Sequence, residues 1–279
     1  MKKIPIWKLS QILRDYNRDG KKADKEFYKK VFELLSDGLE NYVNDLLIIP
    51  KDDMDNPKYA KYTEGFAGMF GQAAYVAEEK RLVIYERNIE YGKDMKIRRS
   101  KYQGKNLIAL YNLLILQTIL HEFEHARQKY EEIESDSLEG ELFRVMQTAI
   151  KPQTTATYDY DPKERLAEIK SYQKLLVLYK FLGIKDFELY NLLQNNLIDS
   201  VAHGYGYLSE QGYMSENPEG KFTSPTEFYL YTRGCDIKKS QAIISKLSSK
   251  DKLTYGTQMT VEEYEQKFGE GRIKRNYAL

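Results

Sequence analysis

The most apolar stretch of this sequence is the run LIALYNLLILQTIL at residues 107–120. A helix built from it has apolar side chains on nearly every side, so other elements must enclose it. With Asn112 and Gln117 inside it, the run is too short and too polar to cross a bilayer. It predicts a buried core helix over roughly 105–131, in a chain of 279 residues that is long enough to bury a substantial core.

The charge balance and the cysteine content limit which partners and which kinds of metal site this chain can have. Lysine and arginine number 43 against 42 aspartate and glutamate residues, and the net charge of +1 selects neither nucleic acid nor an anionic membrane. Cys235 is the only cysteine, which excludes an internal disulfide and a multi-cysteine zinc site. Lys8, Ser10 and Gln11 interrupt the N-terminal apolar residues, unlike a signal peptide. We expect a cytoplasmic protein without a membrane span, and its oligomeric state stays open.

Hydrophobic periodicity predicts an α+β fold that is mostly helical. We expect a hairpin of strands at about 72–78 and 81–87, a basic solvated loop over 87–105, an acidic segment at 131–141 that starts a helix to about 149, and a glycine-rich loop from His203 onward. One unit is expected over 1–279, with helical parts at 1–50 and 183–279 around a core at 60–182. The further helices are predicted at 5–18, 24–48, 162–182, 186–200, 225–232, 238–248 and 260–268.

The core helix ends in the motif His121-Glu122-x-x-His125, which contains two of the three histidines in the chain. Four residues advance about 400° around a helix, so both imidazoles lie on one face, roughly 6 Å apart, and can share one metal ion. Glu122 lies about 100° further round, where its carboxylate can act as a general base toward water. The motif therefore predicts a single zinc site.

A catalytic zinc ion needs a third protein ligand and one open position. The segment DPKERLAEIKSY begins a helix at Asp161-Pro162 and places Glu164 and Glu168 one turn apart on the same face. Either glutamate could bind the metal while the other supports it, and His203 is a further alternative. Glu164 also stands at the third helical position, where a glutamate can instead cap backbone N–H groups.

The segments His121–His125 and Glu164–Glu168 together resemble the zincin metallopeptidases, and among them the gluzincins. The resemblance implies a zincin-like fold and one Zn²⁺ ion held by His121, His125 and Glu164. In that group an acid four residues after the ligand commonly hydrogen-bonds a metal-binding histidine. Glu168 has that place here, although aspartate is more usual. The resemblance also implies a strand beside the active-site helix that pairs with an extended peptide, and 81–87 is the candidate.

The function expected from these features is peptide-bond hydrolysis by a zinc metallopeptidase acting on a peptide or protein substrate. Glu122 is the expected general base, and His203 is the candidate donor to the developing oxyanion. One alternative is a metal-bearing regulatory or binding protein without hydrolysis. Another is a nucleic-acid-associated protein that uses the basic residues 87–105 and the final GRIKRNYAL. The other candidates for the oxyanion donor are Tyr158, Tyr160, Tyr205 and Tyr207.

Overall fold

The computed structural model describes residues 6–64, 71–153, 158, 161–207, 224–249, 263 and 266. It is 71% helical and contains a mixed three-stranded sheet, which confirms the expected α+β class with a small sheet. The chain forms two compact units. The first unit consists of Met1–Arg127 and Ser171–Gln194, and the second consists of Gln128–Lys170 and Asn195–Leu279.

The first unit contains the sheet and the helices that surround it. The helix predicted at 5–18 is confirmed in this unit, and so is the long core helix. Its elements are α1 (Ile6–Arg18), α2 (Lys25–Ser36), β1 (Asp45–Ile49), α3 (Ala60–Thr63), β2 (Ala73–Val76), β3 (Arg81–Tyr85), α4 (Glu86–Ser100) and most of α5 (Leu107–Glu134), with the later part of α7 (Pro162–Leu182) and the first turns of α8 (Phe187–Tyr207).

Strand β1 corrects the predicted helix at 24–48. Helix α2 ends at Ser36, and Gly38 then takes a positive φ of 85°, a conformation that glycine adopts without steric cost. The strand sequence DLLII is apolar and lacks alternation, so periodicity could not separate a buried strand from a helix. Parallel pairing with β3, from Asp45 opposite Arg81 to Ile49 opposite Tyr85, makes it a strand.

The predicted hairpin is confirmed, but the predicted substrate strand is wrong. Strands β2 and β3 pair antiparallel, and the chain reverses through Lys80, whose φ is 51°. The strand order is β1-β3-β2, so β3 has a neighbour on each side. Because both of its edges are already hydrogen-bonded, the strand at 81–87 cannot accept an extended peptide. Among the described strands, β2 is the edge strand of the hairpin.

Helix α4 replaces the basic loop that the sequence predicted over 87–105. Lysine, arginine, glutamate and methionine are good helix formers, and charge alone does not break a helix. Ile89 and Lys93, one turn apart, are buried and give the helix an inner face. Arg98 and Arg99 are exposed in its last turn, and the helix ends at Ser100, followed by the cap residue Lys101, which has a left-handed φ of 55°.

Helix α5 is the predicted core helix, and it continues three residues beyond the expected end, to Glu134. By length and composition it is one candidate membrane span in the described residues, with mean hydropathy 1.2 in its most apolar window. However, 78% of that window is buried inside the structure, which is typical of a core helix. Its polar Asn112 is fully buried and accepts a hydrogen bond from the Ala23 N–H at 2.7 Å.

The second unit is a helical layer around its own core. The predicted helices at 162–182, 225–232 and 238–248 are confirmed within one residue. The helix predicted to start in the acidic segment is also present: α6 (Leu138–Met146) begins after the Ser137 cap and ends three residues before the expected 149. The predicted helix at 260–268 lies outside the described residues except for 263 and 266. The elements are α6 (Leu138–Met146), the first turns of α7, the later part of α8, α9 (Pro225–Thr232) and α10 (Ile237–Ser248).

The glycine-rich loop predicted from His203 is wrong at its start, because α8 runs on to Tyr207. Gly204 shows why a glycine in this place does not end the helix. A Cβ atom at Gly204 would lie only 1.9 Å from a guanidinium nitrogen of Arg165 in α7. The glycine therefore serves close packing of a buried side chain rather than a turn. The core around this contact includes Leu142, Phe143, Leu166, Ile169, Val201 and Phe228.

Candidate metal centre

The two histidines of the motif face each other on α5, as the helical spacing requires. Their Nε2 atoms are 3.1 Å apart, and the ring centroids are 4.8 Å apart with the planes nearly perpendicular. Both side chains are partly exposed, so the pair is accessible to solvent. Helical geometry alone produces this arrangement, because residues four apart stand one above the other on the same face.

Glu164 completes a group of three donors with the two histidines. One ring nitrogen from each of His121 and His125 and one carboxylate oxygen of Glu164 lie within 4.8 Å of one another. In the described part of the chain this is the only such group of three or more side chains, and neither Glu168 nor His203 belongs to it. The geometry therefore favours Glu164 over the two alternative third ligands.

The donor set fits a zinc ion. Zinc binds histidine nitrogen and carboxylate oxygen at roughly 2.0–2.2 Å in a tetrahedron, so two such ligands stand roughly 3.3 Å apart. The observed 3.1 Å between the Nε2 atoms is close to that value. The other donor atoms lie within 4.8 Å of one another, so small side-chain rotations would bring all three to zinc-binding distance. Two imidazoles with one carboxylate also match the ligand types of catalytic zinc sites with an open fourth position.

Glu122 stands beside the donors and is held by the sheet. Its side chain is only 9% exposed. The carboxylate Oε2 accepts a hydrogen bond from the Tyr75 N–H of β2 at 2.9 Å. Tyr75 is opposite Leu82 in the hairpin, at a position where the backbone groups point away from β3. The sequence could not show this contact, because it joins a backbone N–H to a side chain 47 residues away.

Helix α5 is also anchored on the side away from its sheet contact. Glu124, only 1% exposed, accepts a hydrogen bond from Lys174 at 2.6 Å and is paired with Arg127 one turn along. A buried carboxylate with two cationic partners resists rotation of the helix, since turning it would leave a charge unpaired in the interior. Glu124 therefore fixes the rotation of α5 in the turn that carries His125, a contact that the motif alone did not reveal.

The helix that carries Glu164 starts at a buried cap. The Asp161 carboxylate, 7% exposed, accepts hydrogen bonds from the Lys163 N–H at 2.8 Å and from the Tyr229 hydroxyl at 2.9 Å. Burial raises the pKa of the Asp161 carboxyl, and it outweighs the two hydrogen bonds, which act in the opposite direction. Glu164, the third residue of α7, is therefore fixed near a rigid helix start.

The structure describes the candidates for an oxyanion donor only in part. His203 is partly buried within α8 rather than in a loop, and it is not one of the three grouped donors. Tyr158 is 46% exposed. Tyr160 lies outside the described residues, and the side chains of Tyr205 and Tyr207 are not described. The role of His203 and of these tyrosines stays a prediction.

Comparisons with protein-family models, with the curated proteins and with the solved structures found no match. Any assignment of function therefore depends on the residues and the geometry of this chain.

Proposed function

We propose that this protein is a zinc-dependent metallopeptidase with a zincin-like site. The observation that carries the proposal is the group of His121, His125 and Glu164, whose donor atoms lie within 4.8 Å of one another beside Glu122. The pattern needs two histidines one turn apart, an acid between them and a distant carboxylate. Each of these elements is present, and each has the chemistry that hydrolysis of an amide requires.

The residues of the chain have separate tasks in this proposal. His121, His125 and Glu164 would hold the metal, and a bound zinc ion would supply Lewis acidity at neutral pH. The Glu122 carboxylate would accept a proton from the attacking water and return it to the leaving nitrogen of the peptide. The hydrogen bond from the Tyr75 N–H engages Oε2 of Glu122, so Oε1 would be the oxygen that takes the proton in this proposal.

The edge strand β2 supports a peptide as the substrate. The Tyr85 N–H donates to the Gln72 carbonyl oxygen, so the alternation along the pair leaves the backbone groups of Ala73 and Tyr75 pointing away from the hairpin. An extended peptide can add to such an edge through main-chain hydrogen bonds. The Tyr75 N–H is already bound to Glu122, which places this edge next to the proposed general base. The substrate strand is thus β2 in this proposal, instead of the strand at 81–87.

The test is a comparison of Glu122→Gln and His121→Ala with the wild type, using metal analysis and a mixed library of quenched fluorogenic peptides. We expect Glu122→Gln to retain one equivalent of zinc but lose peptide cleavage by at least about 1,000-fold, because the amide cannot take the proton. His121→Ala should lose both zinc and cleavage. Glu134→Gln, an exposed charge change on the same helix, is the matched control and should resemble the wild type.

Three outcomes would contradict the proposal. Absence of zinc from the wild-type protein after purification with added zinc would remove the metal site. Stoichiometric zinc in the wild type with cleavage unaffected by Glu122→Gln would remove the proposed base. Zinc binding with no cleavage of any library peptide would favour the alternative, a metal-bearing binding or regulatory protein.

A further inference from the structure

A buried glutamine connects the metal-binding helix to the residue that precedes Glu164. Gln128 lies three residues after His125 on α5 and is only 1% exposed. Its side-chain Nε2 donates a hydrogen bond to the Lys163 carbonyl oxygen at 2.8 Å. Lys163 is followed directly by Glu164. A single side chain thus fixes the backbone of α7 one residue from the carboxylate donor.

The contact is not needed to satisfy the backbone of α7. The Lys163 carbonyl is already within the helix, where it accepts the N–H four residues on. The glutamine uses the second lone pair of that oxygen. On the α5 side the bond satisfies the buried amide of Gln128 itself. On the α7 side its effect is to hold the position of the first turn.

A second contact reinforces the same residue. The Lys163 ammonium group donates to the Glu132 carboxylate at 2.6 Å, and Glu132 also accepts from Lys129 at 2.9 Å. Glu132 stands four residues after Gln128, so the two contacts lie one turn apart on α5. Together they hold both the main chain and the side chain of Lys163. This lysine therefore cannot slide along α5 without breaking both contacts.

We propose that Gln128 is a positioning residue that sets the distance from Glu164 to the two histidines. The inference rests on the proposed zinc site and extends it to a residue outside the ligand set. Each residue advances 1.5 Å along a helix axis, so a shift of α7 by one residue along its axis would move Glu164 by about 1.5 Å relative to the histidines. Glu164 can bind the metal only if α7 is held against such a shift. Groups that orient metal ligands commonly contribute 10–100-fold to metal affinity.

The test measures zinc affinity by competition with a chromophoric chelator, the visible spectrum of the Co²⁺-substituted protein, and the unfolding free energy of the metal-free protein. Gln128→Met keeps the length of the side chain but removes the donor. Gln128→Asn keeps the amide but is one methylene too short. Gln117→Met is the matched control, because Gln117 is also buried on α5, at 4% exposed, and donates to Ser171 of α7 at 3.0 Å, seven residues beyond Glu164.

Both Gln128 variants should bind zinc at least about tenfold more weakly than the wild type and show weaker or shifted Co²⁺ bands. Gln117→Met should lose similar stability without metal and keep the wild-type zinc affinity. Wild-type affinity in either folded Gln128 variant, or an equal loss in Gln117→Met, would overturn the inference. In those cases the wild type still binds zinc and His121→Ala does not, so the proposed function stands. Failure of the wild type to bind zinc would remove both.

Discussion

Asp24 and Asp161 both cap the N-terminus of a helix, but Asp24 is exposed and Asp161 is buried. Comparing substitutions at the two positions therefore separates the effect of losing a cap from effects particular to α7. Asp24 caps α2 and accepts from the Phe27 N–H at 3.0 Å and the Tyr16 hydroxyl at 2.8 Å. Asp161 caps α7 with the same two kinds of donor, a helix N–H and a tyrosine hydroxyl, and also accepts a hydrogen bond from the Gln153 amide at 3.0 Å. Only Asp161 begins the helix that carries a proposed metal ligand.

The change we consider is Asp161→Ala. Loss of a side-chain helix cap costs about 1 kcal/mol. The buried Tyr229 hydroxyl loses its acceptor, which costs roughly 1–3 kcal/mol. Removal of a buried carboxylate partly offsets these losses because its desolvation is relieved. The expected net loss of unfolding free energy is about 2 kcal/mol, and about 1–2 kcal/mol for Asp24→Ala.

Zinc affinity separates the two variants more sharply than stability does. Fraying of the first turn of α7 moves Glu164, so Asp161→Ala should weaken zinc binding about tenfold or more. Asp24→Ala should leave the affinity unchanged. The assays are urea unfolding of the metal-free protein and zinc competition on samples that are still folded. Unchanged zinc affinity in Asp161→Ala, or an equal loss in Asp24→Ala, would refute the reasoning.

The same pair predicts opposite pH dependence in the metal-free protein. Although partial burial acts against it, hydrogen bonds from the Phe27 N–H and Tyr16 hold the pKa of Asp24 below its usual value. Its contribution is therefore present above the unfolded pKa, about 3.9, and is lost as pH falls through the folded pKa. Burial raises the pKa of Asp161, so its contribution is present below the unfolded pKa and declines as pH rises. From about pH 3 to about pH 7, Asp24→Asn should become more costly and Asp161→Asn less costly.

Two further predictions concern the framework of the fold. Asn112→Leu should lower the unfolding free energy by about 3 kcal/mol in urea titrations, because the buried Ala23 N–H loses its acceptor; a cost below about 1 kcal/mol would contradict this. Gly140→Ala should cost about 2 kcal/mol or more, since its Cβ would lie 2.2 Å from the Glu131 carbonyl oxygen. Gly92→Ala is the control, because its Cβ would meet only the end of a side chain, and similar melting temperatures for both variants would refute the steric argument.

Several features of the site could be predicted from the sequence because they are local. The spacing of His121 and His125 determines that they share a helix face, since four residues make about one turn. Asp161 followed by Pro162 determines where α7 begins, since a capping acid and a preset φ act within one turn. The apolar run at 107–120 likewise required an enclosed helix. These conclusions needed no knowledge of what packs against what.

Other features depended on packing between distant segments. Glu164 and Glu168 share one face of α7. Which of them meets the histidines depends on the position of α7 along its own axis, and the structure brings Glu164 to them. Strand β1 exists because β3 pairs with it, although its sequence also suits a helix. The contact between Tyr75 and Glu122 requires the hairpin to lie against α5. Local propensity reaches only one or two turns along the chain, whereas these choices were made by hydrogen bonds and burial between residues far apart in sequence.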